Sequence, residues 1–176
     1  MLVVFVTHPE AKDVSRGHVR ALSKKGKESA HEVGTRLLSM LPLLFKEHGI
    51  EEVNSIASSP STRCVETAVL VADILSDIAN VDEIVVTEEF KVPLSREAVS
   101  GALRKLGSGT AIVALHADLP SVLKKGAIQP SALKDHWLLN RPVIAITNYD
   151  PNCSIEEGTL ICCEKYNGTD WESILT

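Results

Sequence analysis

The sequence predicts an α/β fold built around a mainly parallel sheet. Three observations carry this. Leu2-Val-Val-Phe-Val6 is a short, continuous, β-branched apolar run, the pattern of a strand buried on both faces. From Ser23 to about His48, Ala30, Val33, Leu37, Leu41, Leu44 and Phe45 recur at three- and four-residue spacings, which marks one face of a long helix. Strand-like and helix-like runs then alternate along the chain, as they do where crossover helices join parallel strands.

The elements follow in order. Pro42 lies inside the first helical pattern and predicts a kink or an early stop there. Val53–Ser58 reads as the second strand. Ser59-Pro60 reads as a helix start, with Ser59 as the cap and Pro60 at the first helical position. Val65, Ala68, Val69, Ala72 and Leu75 are the expected buried face of that helix. Glu83–Val86 is a third strand, Ser95–Leu106 a helix ending near Gly107, and Thr110–Leu115 a fourth buried strand. Residues 117–140 are weakly patterned. Pro142–Thr147 and Thr159–Lys165 read as closing strands. Asn167-Gly168 signals a turn, after which Trp171 and Ile174 pack a last short segment. There is no repeat, linker or low-complexity run, so residues 1–176 are expected to form a single domain.

Composition narrows the function classes. The chain has 176 residues, 44% hydrophobic and 23% charged, which supports one ordinary core and argues against disorder. Its net charge of −5 disfavours broad attraction to nucleic acid or an anionic membrane. Leu2–Val6 is too short for a signal core or a membrane span, so a cytoplasmic location is expected. Cys64, Cys153, Cys162 and Cys163 form no CxxC pair and lack a histidine at metal-ligand spacing. They read as thiols in a reducing compartment, and no metal or cofactor is expected. Any anion site must therefore rest on a few local donors, drawn from only seven arginines.

In an open α/β sheet, ligands bind at the carboxyl ends of the strands. Three such ends carry chemistry here: Thr7-His8-Pro9-Glu10, Ser58-Ser59-Pro60-Ser61-Thr62-Arg63 and His116-Ala117-Asp118. Taken singly, each has a plain structural reading: His8 or His116 at the edge of the core, Arg63 on a solvated helix face. Taken together, they place two imidazoles, a guanidinium and a helix N-terminus at one sheet edge, which is an anion site. A flavodoxin-like binding domain would need a Gly-rich loop or an acidic cluster after the first strand, and neither is present.

These segments resemble the histidine phosphatase superfamily, whose fold is phosphoglycerate-mutase-like. Val3–Glu10 is similar to the family's opening strand and its Arg-His-Gly-Glu motif. Leu22-Ser-Lys-Lys-Gly-Lys-Glu-Ser-Ala30 is similar to its Leu-Ser/Thr-x-x-Gly-x-x-Gln-Ala segment. Ser58-Ser-Pro-Ser-Thr-Arg-Cys-Val-Glu-Thr-Ala68 resembles Ser-Ser-Pro-x-x-Arg-Ala-x-x-Thr-Ala almost throughout. Val113–His116 resembles the strand that delivers the second histidine, and Asn152-Cys-Ser-Ile155 the lead into the last strand.

The resemblance implies a three-layer sandwich with helices flanking the sheet. It also implies a phosphatase of the phosphoric monoester hydrolase class, acting on a small phosphorylated substrate or a phosphoprotein. His8 would attack phosphorus and become phosphohistidine, Arg63 would bind the phosphate oxygens, and His116 would stabilise the transferring group. Glu89 and Asp118 are alternative general acids. Ser59 and Thr7 are expected beside the phosphate. Thr7 stands where the family has arginine, and Pro9 where it has glycine. The hydroxyl of Thr7 offers a hydrogen bond and no charge, so turnover is expected to be weak unless Arg16, Arg20 or Arg141 reaches the site. The alternative is a degenerate member that binds phosphate or a partner. A mutase would need more chain to enclose its intermediate.

Overall fold

The computed structural model describes residues 1–12, 20–116, 119–123 and 141–174. A seven-stranded sheet runs through the middle in the order β3-β2-β4-β1-β5-β6-β7. The strands are β1 (Leu2–Thr7), β2 (Ser55–Ser58), β3 (Ile84–Val86), β4 (Thr110–Leu115), β5 (Val143–Asn148), β6 (Thr159–Tyr166) and β7 (Trp171–Ser173). The helices are α1 (Lys24–His48), α2 (Thr62–Ile74) and α3 (Arg96–Leu106). β3, β2, β4 and β1 pair in parallel. β5, β6 and β7 close the sheet antiparallel. The parallel half is the half joined by the three helices, because parallel neighbours need a long crossover.

Both faces of the sheet are covered, so the central strands are apolar on both sides. Val3 and Phe5 of β1 pack with Val99, Ala102 and Leu103 of α3. Leu2, Val4 and Val6 pack with Val33, Leu37 and Leu41 of α1 and with Ala68 and Val71 of α2. Successive residues of one strand thus feed opposite layers, which gives the expected three-layer sandwich.

The first helix does not stop at Pro42. It runs on to His48, where Gly49 closes it in the left-handed region at φ 64° and donates its N–H to the Phe45 carbonyl. Pro42, Leu38 and Leu43 lie on the exposed side of α1, so the Leu38 carbonyl that loses its partner faces water. Helix α2 starts two residues later than the sequence predicts, with Ser61 as its cap residue. The N–H of Ser59 still donates to the Ala114 carbonyl at 2.9 Å, and a residue before proline avoids helical angles. Ser59 therefore continues the sheet ladder. The buried face of α2 is Cys64, Thr67, Ala68 and Val71, while Val69 is 50% exposed.

Helix α1 is clamped where it begins. Ser23 caps it by accepting from the Gly26 N–H at 2.9 Å, and the Ser23 hydroxyl donates to Glu10 Oε1 at 2.9 Å. A Cβ on Gly26 would lie 2.0 Å from the Glu10 carbonyl oxygen, a backbone atom. Gly26→Ala is expected to cost about 1–3 kcal/mol in urea unfolding, because the helix must retreat from the strand end. An unchanged midpoint would show that this contact does not hold the helix.

Candidate active site

The parallel register sets the site. β4 lies between β2 and β1, with Thr7 opposite Leu115 and Ser58 opposite Ala114. One more ladder bond beyond β1 joins the His8 N–H to the Leu115 carbonyl at 3.1 Å. His8 and His116 therefore leave the sheet side by side. Their rings meet edge to face, with centroids 5.1 Å apart and planes at 86°. Arg63 arrives from the first turn of α2, over the end of β2.

One guanidinium serves both imidazoles. Arg63 Nε donates to His8 Nε2 at 2.9 Å, and Arg63 NH2 bonds His116 Nδ1 at 3.1 Å. Since a guanidinium only donates, each contacted ring nitrogen is an acceptor. His8 therefore carries its proton on Nδ1 and donates it to the Pro9 carbonyl at 2.8 Å. His116 carries its proton on Nε2 and donates it to Ser61 Oγ at 2.9 Å. These tautomers are assigned from the network.

The electrostatics agree with two neutral rings. Burial lowers the pKa of His8 to about 4, opposed by the Pro9 carbonyl and helped by Arg63, His116 and Arg20. Burial and then Arg63 lower His116 to about 4. Burial also depresses the pKa of Arg63, with the charge of Arg20 adding to it. Among the described residues, neither Arg63 nor Arg20 has a carboxylate within ion-pair distance. Unneutralised guanidinium charge beside two neutral imidazole lone pairs is a receptor for an anion.

Arg20 is exposed and sits where a short bridge between Ala11 and Leu22 turns the chain back toward His8. The Lys12 N–H donates to the Ala21 carbonyl at 2.8 Å, and the Leu22 N–H donates to Glu66 Oε2 of α2 at 2.5 Å. Among the described residues, the charge of Arg20 acts on both His8 and Arg63. Arg141 stands before β5. Arg16 lies outside the described residues, as do Asp118, Lys124 and Lys125.

The remaining sequence candidates fall elsewhere. Thr7 is 3% exposed, and its hydroxyl accepts the Val143 N–H at 2.8 Å, which starts β5. It belongs with the start of β5 and not with the cluster of His8, His116 and Arg63, because the side chain at the last position of β1 points into the fold. Ser59 is fully buried with its hydroxyl beside the Cys64 thiol. Glu89 lies on a 3₁₀ turn, Glu88–Phe90, after edge strand β3. Its carboxylate accepts from Lys105 Nζ at 2.8 Å and from the Thr87 hydroxyl. The Lys105 bond holds its pKa below the usual carboxylate range, so it stays ionised and has no proton to give at neutral pH. The residue that the sequence reading passed over is Ser61. In Ser59-Pro60-Ser61 two serines compete for the cap, and the bias of a pre-proline residue toward extended angles was the signal for the second.

No protein-family model matches the chain, and no curated protein matches it. Solved structures do. The protein histidine phosphatase SixA complexed with tungstate is similar over 93% of this chain and 96% of its own, with a TM-score of 0.63 and 20% identity. The chain has the histidine phosphatase fold. A SixA from Agrobacterium tumefaciens is similar over 92% of this chain and 96% of its own, at 16% identity and a TM-score of 0.62. A SixA from Nakamurella multipartitia matches over 93% and 95%, at 16% identity and 0.61. In this fold the edge formed by β1, β2 and β4 is where the two histidines and Arg63 stand.

The two depressed histidines make stability depend on pH. The unfolded chain binds protons near the ordinary histidine value of 6.5, and the folded chain only near 4. Stability is therefore full above about pH 6.5 and falls as the pH drops toward 4. Urea midpoints at pH 7 and pH 5 should differ, and His116→Gln should shrink that difference. A flat profile in the parent would mean that the rings titrate normally.

Proposed function

We propose that the chain is a phosphatase that forms phosphohistidine on His8 and acts on a phosphorylated protein side chain or a small phosphomonoester. The observation that carries this is the orientation of His8. Its Nδ1–H is tied to the Pro9 carbonyl, so the Nε2 lone pair points at Arg63 Nε, beside the NH2 donor that meets His116. A neutral imidazole held in that tautomer is a nucleophile at neutral pH. An incoming phosphoryl group takes over the Arg63 fork, and Arg20 supplies a second positive charge.

In the first step Nε2 bonds to phosphorus, and the phosphorus–oxygen bond to the leaving group breaks with its electron pair on oxygen. The Pro9 carbonyl continues to hold the Nδ1–H of the phosphorylated ring. Water then attacks phosphorus, the phosphorus–Nε2 bond breaks, and neutral His8 returns. Catalysis is positioning plus electrostatic stabilisation, with one displacement divided into two. The likeness to SixA, a protein histidine phosphatase, supports the protein side chain as substrate. A reducing compartment such as the cytoplasm suits the four free thiols.

A binding-only role is the second reading, favoured by Thr7, whose hydroxyl is committed to Val143. The test is to mix the protein with a labelled aryl phosphate and quench in alkali. The phosphatase reading expects alkali-stable, acid-labile label on His8, lost in His8→Ala. If sulfate binds competitively but no label ever forms, the binding-only reading replaces it. Arg20→Ala is expected to lower kcat/KM about tenfold to a hundredfold, as loss of one charged donor does. An unchanged value would remove Arg20 from the site.

A further inference from the structure

We propose that Ser61 is a positioning residue that keeps the proton of His116 on Nε2 and turns its Nδ1 lone pair into the anion cradle, making His116 the proton donor to the leaving group. The inference rests on the phosphatase reading and adds a role to each of these two residues. It begins with a serine that is not doing its usual work. Ser61 occupies the cap position of α2 with extended backbone angles, φ −66° and ψ 128°, yet its side chain makes no cap hydrogen bond. A serine there ordinarily accepts an N–H of the first helical turn. Here the hydroxyl is 2.9 Å from His116 Nε2 instead.

The groups around His116 give that contact its meaning. Arg63 of α2 faces Nδ1 at 3.1 Å, and the His8 ring lies edge to face against it from the end of β1. The charge of Arg20 acts on those two neighbours. Glu89, the sequence candidate for the acid, is ionised and held by Lys105. The orientation of His116 is therefore set by Arg63 on one nitrogen and by Ser61 on the other. A bound phosphoryl group draws the Arg63 fork onto its own oxygens. Nδ1 then loses its donor and faces an anion, and it takes a proton from solvent. The imidazolium so formed donates Nε2–H to Ser61 and Nδ1–H toward the leaving oxygen. As the phosphorus–oxygen bond breaks, the Nδ1 proton passes to that oxygen and the ring returns to the neutral Nε2–H form. In the second step Nδ1 accepts a proton from the attacking water.

Nitrogen NMR of the ligand-free protein at pH 7 reads the tautomer directly. The expected result is His116 with Nε2 protonated and Nδ1 bare in the parent. With sulfate bound, the parent ring carries a proton on both nitrogens, Ser61→Ala stays neutral, and Ser61→Thr recovers the doubly protonated ring. With an aryl phosphate, Ser61→Ala should lower kcat about tenfold to a hundredfold, the loss of one hydrogen bond to a charged group, with little change in KM. The basic limb of its kcat profile should move down by about one pH unit, and Ser61→Thr should restore it. A helix-capping role alone would lower the melting temperature and leave the profile in place. His116 carrying its proton on Nδ1 in the parent overturns the proposal, as does a Ser61→Ala enzyme with an unmoved kcat and profile. If Ser61→Ala does not fold, the parent tautomer and the Ser61→Thr profile still decide. If the parent neither turns over nor labels His8, the phosphatase reading fails, and the NMR result still decides what Ser61 does.

Discussion

The site depends on one guanidinium that must satisfy two imidazoles at once. A planar fork has fixed donor directions, so Arg63 can reach His8 Nε2 and His116 Nδ1 together only if the rings stand at a set distance and angle. That geometry comes from strand order. β4 separates β2 from β1, so the helix that follows β2 looks across one strand toward the ends of the other two. Had β1 and β2 been neighbours, His116 would have left the sheet on the far side of one of them.

The second cation is held differently. Arg20 sits on a loop, and loops are placed by what ties their ends. Three contacts do this. The Ser23 N–H donates to the Glu10 carbonyl at 3.0 Å, Lys12 bonds Ala21, and Glu66 accepts the Leu22 N–H. Glu66 lies one turn along α2 from Arg63, so the helix that presents one arginine also anchors the loop that presents the other. On the proposed function, Arg20 supplies from a different segment the charge missing at Thr7, while Thr7 itself serves the start of β5.

How much of this was legible in the sequence follows from the range of each interaction. β4 was read to the residue, and α3 to within one residue, because hydrophobic period and capping residues are local signals. His8, Arg63 and His116 were legible as a set, because three strand ends carried them and strand ends of a parallel sheet converge. The start of α2 was missed because Ser59-Pro60 and Ser61 offer equally good local chemistry. A non-local bond, Ser59 N–H to the Ala114 carbonyl, decides between them. Thr7 was misplaced for a similar reason: its hydroxyl answers the Val143 N–H, a partner far along the chain that no local pattern announces. The fate of Glu89 depended on Lys105 of α3, which only the folded layers bring within reach.

The neutral state of the histidines explains how Arg63 and two imidazoles can stand together at one strand end. One guanidinium and two imidazolium ions gathered at one strand end would repel strongly at short range in a partly desolvated pocket. Keeping both rings neutral, with their lone pairs facing Arg63, turns that repulsion into hydrogen bonds. A dianion reverses the balance. It cancels the guanidinium charge, occupies the fork, and leaves the freed lone pairs facing negative oxygen. On the proposed phosphatase reading, the neutrality that lets Arg63 bond both rings thus gives way to protonation of His116 when a phosphoryl group binds. Acid catalysis at His116 and nucleophilic attack by His8 then become available, on that same reading, through one event, ligand binding.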